Sequence, residues 1–176
     1  MGALTTRGQS DVSTSDADDN QYLTFLLGGE MYAIGILHIK EIIEYGQLTE
    51  VPMMPNFLRG VINLRGRVVP VIDLRSRFGK ESTEVTKRTC IVIIDVESNG
   101  ERQNIGIMVD AVSAVIEIVS SQIEAAPTFG AKIRSDFIEG MGKIDGRFVI
   151  ILDLTKVLSL DEMVQLADQY SETESQ

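Results

Sequence analysis

Residues 55–74 read Pro-Asn-Phe-Leu-Arg-Gly-Val-Ile-Asn-Leu-Arg-Gly-Arg-Val-Val-Pro-Val-Ile-Asp-Leu, PNFLRGVINLRGRVVPVIDL. Gly60 and Gly66 punctuate this stretch, and glycine turns a chain without steric cost. Each glycine precedes an apolar run rich in β-branched residues and too short for a helix, so the reading is turn, strand, turn, strand. Pro70 lies inside the second run. A proline has no N–H for a sheet ladder, which predicts an edge strand or a bulge there.

The chain repeats itself eighty residues on. Phe57 to Leu74 aligns without gaps to Phe137 to Leu154, FIEGMGKIDGRFVIILDL. Phe57 matches Phe137, Gly60 matches Gly140, Gly66 matches Gly146, Arg67 matches Arg147, and Asp73 matches Asp153. A weaker echo upstream sets Ile34–Glu44 against Ile107–Glu117 at a spacing of seventy-three, which places an insertion around 127–135. Self-similarity on this scale predicts two like units packed together. Asp73 and Asp153, at matched places, are expected to cap the turn after each strand rather than to act as a catalytic carboxylate pair.

The 176 residues are 44% hydrophobic and 24% charged, ordinary for a globular chain of one domain or two small ones. No apolar run is long enough for a membrane span. The N-terminus lacks the basic start and apolar core of a secretory signal. Cys90 is the single cysteine, which excludes an internal disulfide and a thiolate cluster. Cytoplasm is the simplest compartment. Net charge is −10, with −3 in residues 1–20 and −2 in 170–176, so an acidic body speaks against general nucleic-acid binding.

In chain order, 1–20 is a polar, acidic tail expected to be disordered. Strands are expected over 21–27 and 30–34 around the Gly28-Gly29 hairpin turn. Ile36 to Tyr45 reads as one helical turn running into a strand, and 110–119 as its repeat. Val51 to Pro55 reads as an extended linker, and 79–86 as a polar loop. Strands follow over 87–96 and 102–109 around Asn99-Gly100, then a loop over 120–135. Gly140 and Gly142 read as a turn. Ser159-Leu-Asp-Glu162 is a capping box that opens a C-terminal helix over 159–170, with a flexible tail over 171–176. The fold class expected is all-β: two small barrels sharing a core, with short helical turns.

Catalytic chemistry is not visible. His38 is the one histidine, and Cys90 sits in an apolar strand as a small hydrophobe. Metal-ligand spacings and phosphate-cradling loops do not occur, so neither cofactor nor metal is expected.

The two copies differ in a way that points to function. Residues 57–80 carry a net +5 and the matching 137–160 a net zero. Arg65 is replaced by Asp145, and Glu41 by Ala114. These reciprocal differences imply a Glu41–Arg65 pair that exists once. It is either a solvated salt bridge of little consequence or a recognition site, since arginine offers a planar fork of donors to a partner.

Phe57-Leu-Arg-Gly-Val-Ile-Asn-Leu-Arg-Gly with Val-Val-Pro-Val-Ile-Asp-Leu resembles the CheW family of chemotaxis coupling proteins. The likeness runs through Asp110-Ala-Val-Ser, Ala125-Ala-Pro, Phe137-Ile-Glu-Gly and Ile150-Ile-Leu-Asp-Leu, about residues 21–166. The regulatory domain of the kinase CheA and the N-terminal part of CheV share this fold, but the chain has no room for a kinase core or a receiver domain. The resemblance implies two five-stranded SH3-like barrels over 21–158, with halves of about 21–86 and 87–158 and strands that can cross between barrels. It implies a non-enzymatic, cytoplasmic adaptor, recruited to membrane receptor arrays, that couples chemoreceptor tips to CheA without inserting into the membrane. It places Ile39, Glu41, Gly60, Asn63 and Arg65 at the receptor contact, and Phe129 at a kinase contact. A groove lined by Ile36, Ile39 and Val61 would take a receptor helix. The competing reading, a small-barrel nucleic-acid binder, needs aromatics stacked beside the basic stretch.

Overall fold

The computed structural model describes residues 20–98, 100–126 and 133–159. The described residues form eleven strands: β1 Gln21–Leu27, β2 Glu30–Gly35, β3 Ile39–Glu44, β4 Leu58–Leu64, β5 Arg67–Asp73, β6 Cys90–Ser98, β7 Glu101–Val109, β8 Ala111–Glu117, β9 Ile123–Glu124, β10 Ile138–Ile144 and β11 Arg147–Leu152. Single helical turns α1 (Leu74–Arg77) and α2 (Leu154–Val157) follow β5 and β11. A 3-10 turn over Ile36–His38 runs directly into β3, the predicted arrangement. The matching stretch at 110 goes straight into β8 without one.

The strands form two SH3-like five-stranded barrels, one ordered β3-β6-β7-β5-β4 and the other β8-β1-β2-β11-β10, the latter extended by the two-residue β9. Neither barrel is contiguous in sequence. The β1–β2 hairpin lies in the sheet of β8, β10 and β11, and the β6–β7 hairpin lies in the sheet of β3, β4 and β5. Exchanging each strand with its repeat partner converts one order into the other. The joints match too: β5 runs parallel to β7 (Ile72 opposite Ile107), and β11 runs parallel to β2 (Ile150 opposite Tyr32).

This exchange explains the unbroken apolar run at the start of β6. Ile91 and Ile93 point into one barrel with Val69, Val71 and Met108. Val92 and Ile94 point the other way, into a core shared with Phe25, Tyr32, Phe137 and Leu152 of the second barrel. A strand covered on both faces cannot alternate apolar with polar. The second barrel has its own smaller interior around Ala33, Ile118, Val149 and Ile151.

Four local expectations are corrected. Pro70 stands in an interior strand, between β7 and β4. It pairs with Val61, whose N–H and C=O both go to Thr49 on the far side. The proline nitrogen therefore faces β7, where the parallel ladder starts only at Val71, and no ladder bond is lost. Pro52 to Met54 is a turn rather than an extended linker, with Met53 at φ 61°. Gly140 and Gly142 lie within β10. Cys90 opens β6 at its half-buried end instead of lying mid-strand, and its thiol donates to the Arg88 carbonyl.

Gly60 and Gly140 share one structural task. A Cβ on Gly60 would stand 2.6 Å from the Thr49 carbonyl oxygen, and one on Gly140 would stand 2.6 Å from Ile123 Cγ2. At both, the strand register shifts one residue from the N-terminal end of β4 or β10. Glycine admits the close approach of a neighbouring strand. Asp73 and Asp153 cap α1 and α2 as expected, accepting from Arg75 N and Lys156 N. Phe129, the acidic N-terminal tail and the C-terminal helix fall outside the described residues.

Candidate functional site

Two-residue turns place the arginine that the repeat singles out. Arg65 and Gly66 link β4 to β5 at φ 52° and 84°, and Asp145 and Gly146 make the same turn at 50° and 79°. Both central residues at positive φ define the hairpin turn that matches strand twist, for which Asn-Gly and Asp-Gly are favoured. Arginine is not a favoured residue there, since its Cβ crowds the backbone in the left-handed region. Asn63 compensates: its Oδ1 accepts from Gly66 N at 2.8 Å and closes the turn. The other copy has Lys143 at that place.

The turn delivers Arg65 to Glu41. Nη1 donates to Oε1 at 2.9 Å and Nη2 to Oε2 at 2.6 Å, a bidentate pair. Glu41 lies on β3 and Arg65 at the end of β4, the two terminal strands of one sheet order. The pair therefore clasps the seam of that barrel. Arg65 is 73% exposed. The hydrogen bonds from Arg65 hold the Glu41 carboxyl below the usual carboxylate range, so it stays ionised. The matching places hold Ala114 and Asp145, so the second barrel has no such clasp.

A depression of about 510 Å³ opens beside the pair, lined by Lys40, Arg67, Leu64, Ile93 and Asn104 as well as the clasp itself. Of the residues singled out from sequence, Glu41, Asn63 and Arg65 come together. Gly60 is buried on the same edge strand and acts through its backbone. Ile39 is half-buried and packs on the shared core, two residues before Glu41. Ile36 packs there too, whereas Val61 bridges Thr49 at the outer edge of β4. The surface beside the clasp is thus mixed in character rather than the apolar groove of Ile36, Ile39 and Val61.

The net positive charge of residues 57–80 is not gathered into one basic surface. Arg77 is buried, its Nε donating to the Val157 carbonyl at 2.8 Å. Arg59 contacts the buried Asp73 at 3.3 Å, and Arg75 approaches Asp110 at 4.0 Å. These three cations are turned toward partners within the protein, and Arg65 and Arg67 stay exposed. No stripe for tracking phosphates results.

A family model described as CheW-like domain matches residues 21–162. The chain belongs to the CheW-like family. The chemotaxis protein CheW of Klebsiella aerogenes is 38% identical over 143 residues, covering 81% of this chain and 84% of that protein. The CheW of Bacillus subtilis is 37% identical, covering 77% and 85%. Among solved structures, the scaffolding protein TtCheW from Thermoanaerobacter tengcongensis matches with a TM-score of 0.71 at 35% identity, covering 79% of this chain and 87% of that one.

In this CheW-like chain, sequence reasoning passed over Lys40, Arg67 and Asn104. Arg67 recurs as Arg147, so a comparison of the two copies does not single it out. Asn104 arrives on β7 from the other half, by a pairing no local signal announces. Arg77 adds to the net charge of 57–80, yet it is buried against Val157, its counterpart eighty residues on.

Proposed function

We propose that this chain is a non-enzymatic chemotaxis scaffold that couples the cytoplasmic tip of chemoreceptors to the regulatory domain of the histidine kinase CheA, from the cytoplasmic side of membrane arrays. The observation that carries this reading is the Glu41–Arg65 clasp. It is exposed, bidentate, held in a strained turn, and present in one barrel only. A pair that served only to close a barrel would be expected in both. The guanidinium retains N–H groups beyond the two engaged, and these offer charge-assisted hydrogen bonds to carboxylates or carbonyls on a receptor helix. Glu41 and Lys40 beside it fix register, because a misaligned helix would leave a charge unpaired.

The kinase contact falls to the second half, with Phe129 as the residue the family resemblance assigns. The test is reconstitution. Purified chain, a soluble receptor signalling fragment and CheA are combined, and co-sedimentation and kinase activity are read. Assembly of all three only when this chain is present supports the reading. Binding to neither partner, or retention on a nucleic-acid filter at low salt, overturns it.

A further inference from the structure

Arg77 and Val157 occupy the same place in the two repeats, eighty residues apart, and they touch. Arg77 Nε donates to the Val157 carbonyl at 2.8 Å. The guanidinium carbon lies 5.3 Å from the centre of the Phe57 ring and 4.8 Å from that of Phe137, again a matched pair. Each phenylalanine is tied to its own half by the same bond, Asp73 N to Phe57 O and Asp153 N to Phe137 O. Phe137 also contacts Phe78, and Phe78 contacts Tyr32, both at 5.7 Å between ring centres.

A planar cation held between two equivalent rings, and bonded to its own equivalent residue, stands where the two repeats meet. We infer that Arg77 is a positioning residue that fixes the angle between the two barrels, so that a partner held by the first barrel is presented to a partner held by the second at one geometry. The chemistry fits. Apolar side chains can slide over one another with little change in contact. A guanidinium stacked on two rings and bonded through Nε to one carbonyl has a single arrangement. The asymmetry is required, because two arginines at this place would set like charges against each other. Valine at 157 contributes only its carbonyl and an apolar side chain, fully buried.

The functional half of this inference rests on the scaffold reading above; the angular half does not. The test uses the full chain with Cys90→Ser and spin labels on cysteines at Val68 and Phe148. These are equivalent exposed positions, one per barrel, at 73% and 50% exposure. The unaltered arginine gives one narrow distance distribution. Arg77→Met, which keeps length but loses donor and charge, is expected to broaden it at least two-fold, while strand amides in both sheets stay protected from exchange. Arg77→Lys, which keeps charge but loses the planar fork, is expected to broaden it as well, and it carries the test should Arg77→Met not fold. A folded variant with an unchanged distribution overturns the positioning role, whatever its Tm. In the reconstituted complex the same variants, unlabelled, are expected to bind each partner alone within two-fold while kinase stimulation falls five-fold or more. Full stimulation despite a broadened distribution overturns the claim that the angle matters for coupling. Failure of the unaltered chain to bind partners sinks the scaffold reading and leaves the distance result standing.

Discussion

Glu41 and Arg65 join the two terminal strands of one barrel through a pair of hydrogen bonds, 2.6 and 2.9 Å long, that the other barrel lacks. Because the pair is solvated, its loss should be felt by a partner more than by the fold. Arg65→Ala is expected to weaken binding of a receptor signalling fragment about ten-fold or more and to move Tm by no more than about 2 °C. Titration calorimetry beside a thermal melt checks this. Parallel loss of binding and Tm would make the clasp a structural element only.

The backbone at the same residue makes a second, opposite expectation. Arg65 sits at φ 52°, which asparagine tolerates better than arginine. Arg65→Asn creates the favoured Asn-Gly turn and is expected to raise Tm by about 2–5 °C while receptor binding falls as in the alanine variant. A site that gains stability when its function is removed is the pattern of a strained recognition residue.

Gly60 should behave differently. The Thr49 oxygen lies 2.6 Å from where a Cβ would stand, so Gly60→Ala forces backbone to move. The expected cost is about 1–3 kcal/mol, read as a lower denaturant midpoint with an unchanged slope. Binding should fall too, through displacement of the edge strand that carries Asn63 and Arg65. The Arg65→Ala variant, by contrast, should keep its midpoint.

The two capping aspartates are equivalent in sequence and unequal in the fold. Asp73 is fully buried and accepts from Arg75 N, Thr83 N, Thr83 Oγ1 and Arg59 Nη1. Asp153 accepts from Lys156 N at 3.3 Å. Asp73→Asn turns an acceptor into a donor facing donors and should cost about 2–3 kcal/mol. Asp153→Asn should cost under about 0.5 kcal/mol, since asparagine caps a helix as well as aspartate. Chemical denaturation of both variants measures the difference.

Glu139 gives a pH-dependent expectation. Glu139 lies on the exposed face of β10; partial desolvation and the nearby Asp153 carboxylate push its carboxyl up, with His38 pulling partly back. A carboxyl raised in the folded state favours folding while protonated. That contribution is full below the ordinary glutamate range and is lost as pH rises through the raised value. Glu139→Gln is therefore expected to raise Tm slightly at pH 7 and to make no difference near about pH 3.5. Melts across that range test it, and a gain that grows on acidification would contradict the sign.

Much of this molecule is written locally. Gly28-Gly29 and Arg65-Gly66 announce hairpins within two residues, Asp73 and Asp153 announce caps, and the repeat of 57–74 in 137–154 announces two like units. The Glu41–Arg65 pair was legible too, because each residue differs from its repeat partner and the two differences compensate. Turn chemistry, alternation and duplication act over a few residues or by direct comparison, so one chain suffices to read them.

Tertiary structure alone decided which hairpin joins which sheet. The β1–β2 and β6–β7 hairpins are repeat counterparts, and the parallel joints β5–β7 and β2–β11 that seat each of them enclose one shared core. That choice turns Arg77 inward onto Phe57 and Phe137, spares Pro70 a lost bond, and brings Asn104 beside the clasp. Burial depends on every surface that ends up adjacent. No window of sequence holds that information, whereas a turn holds its own.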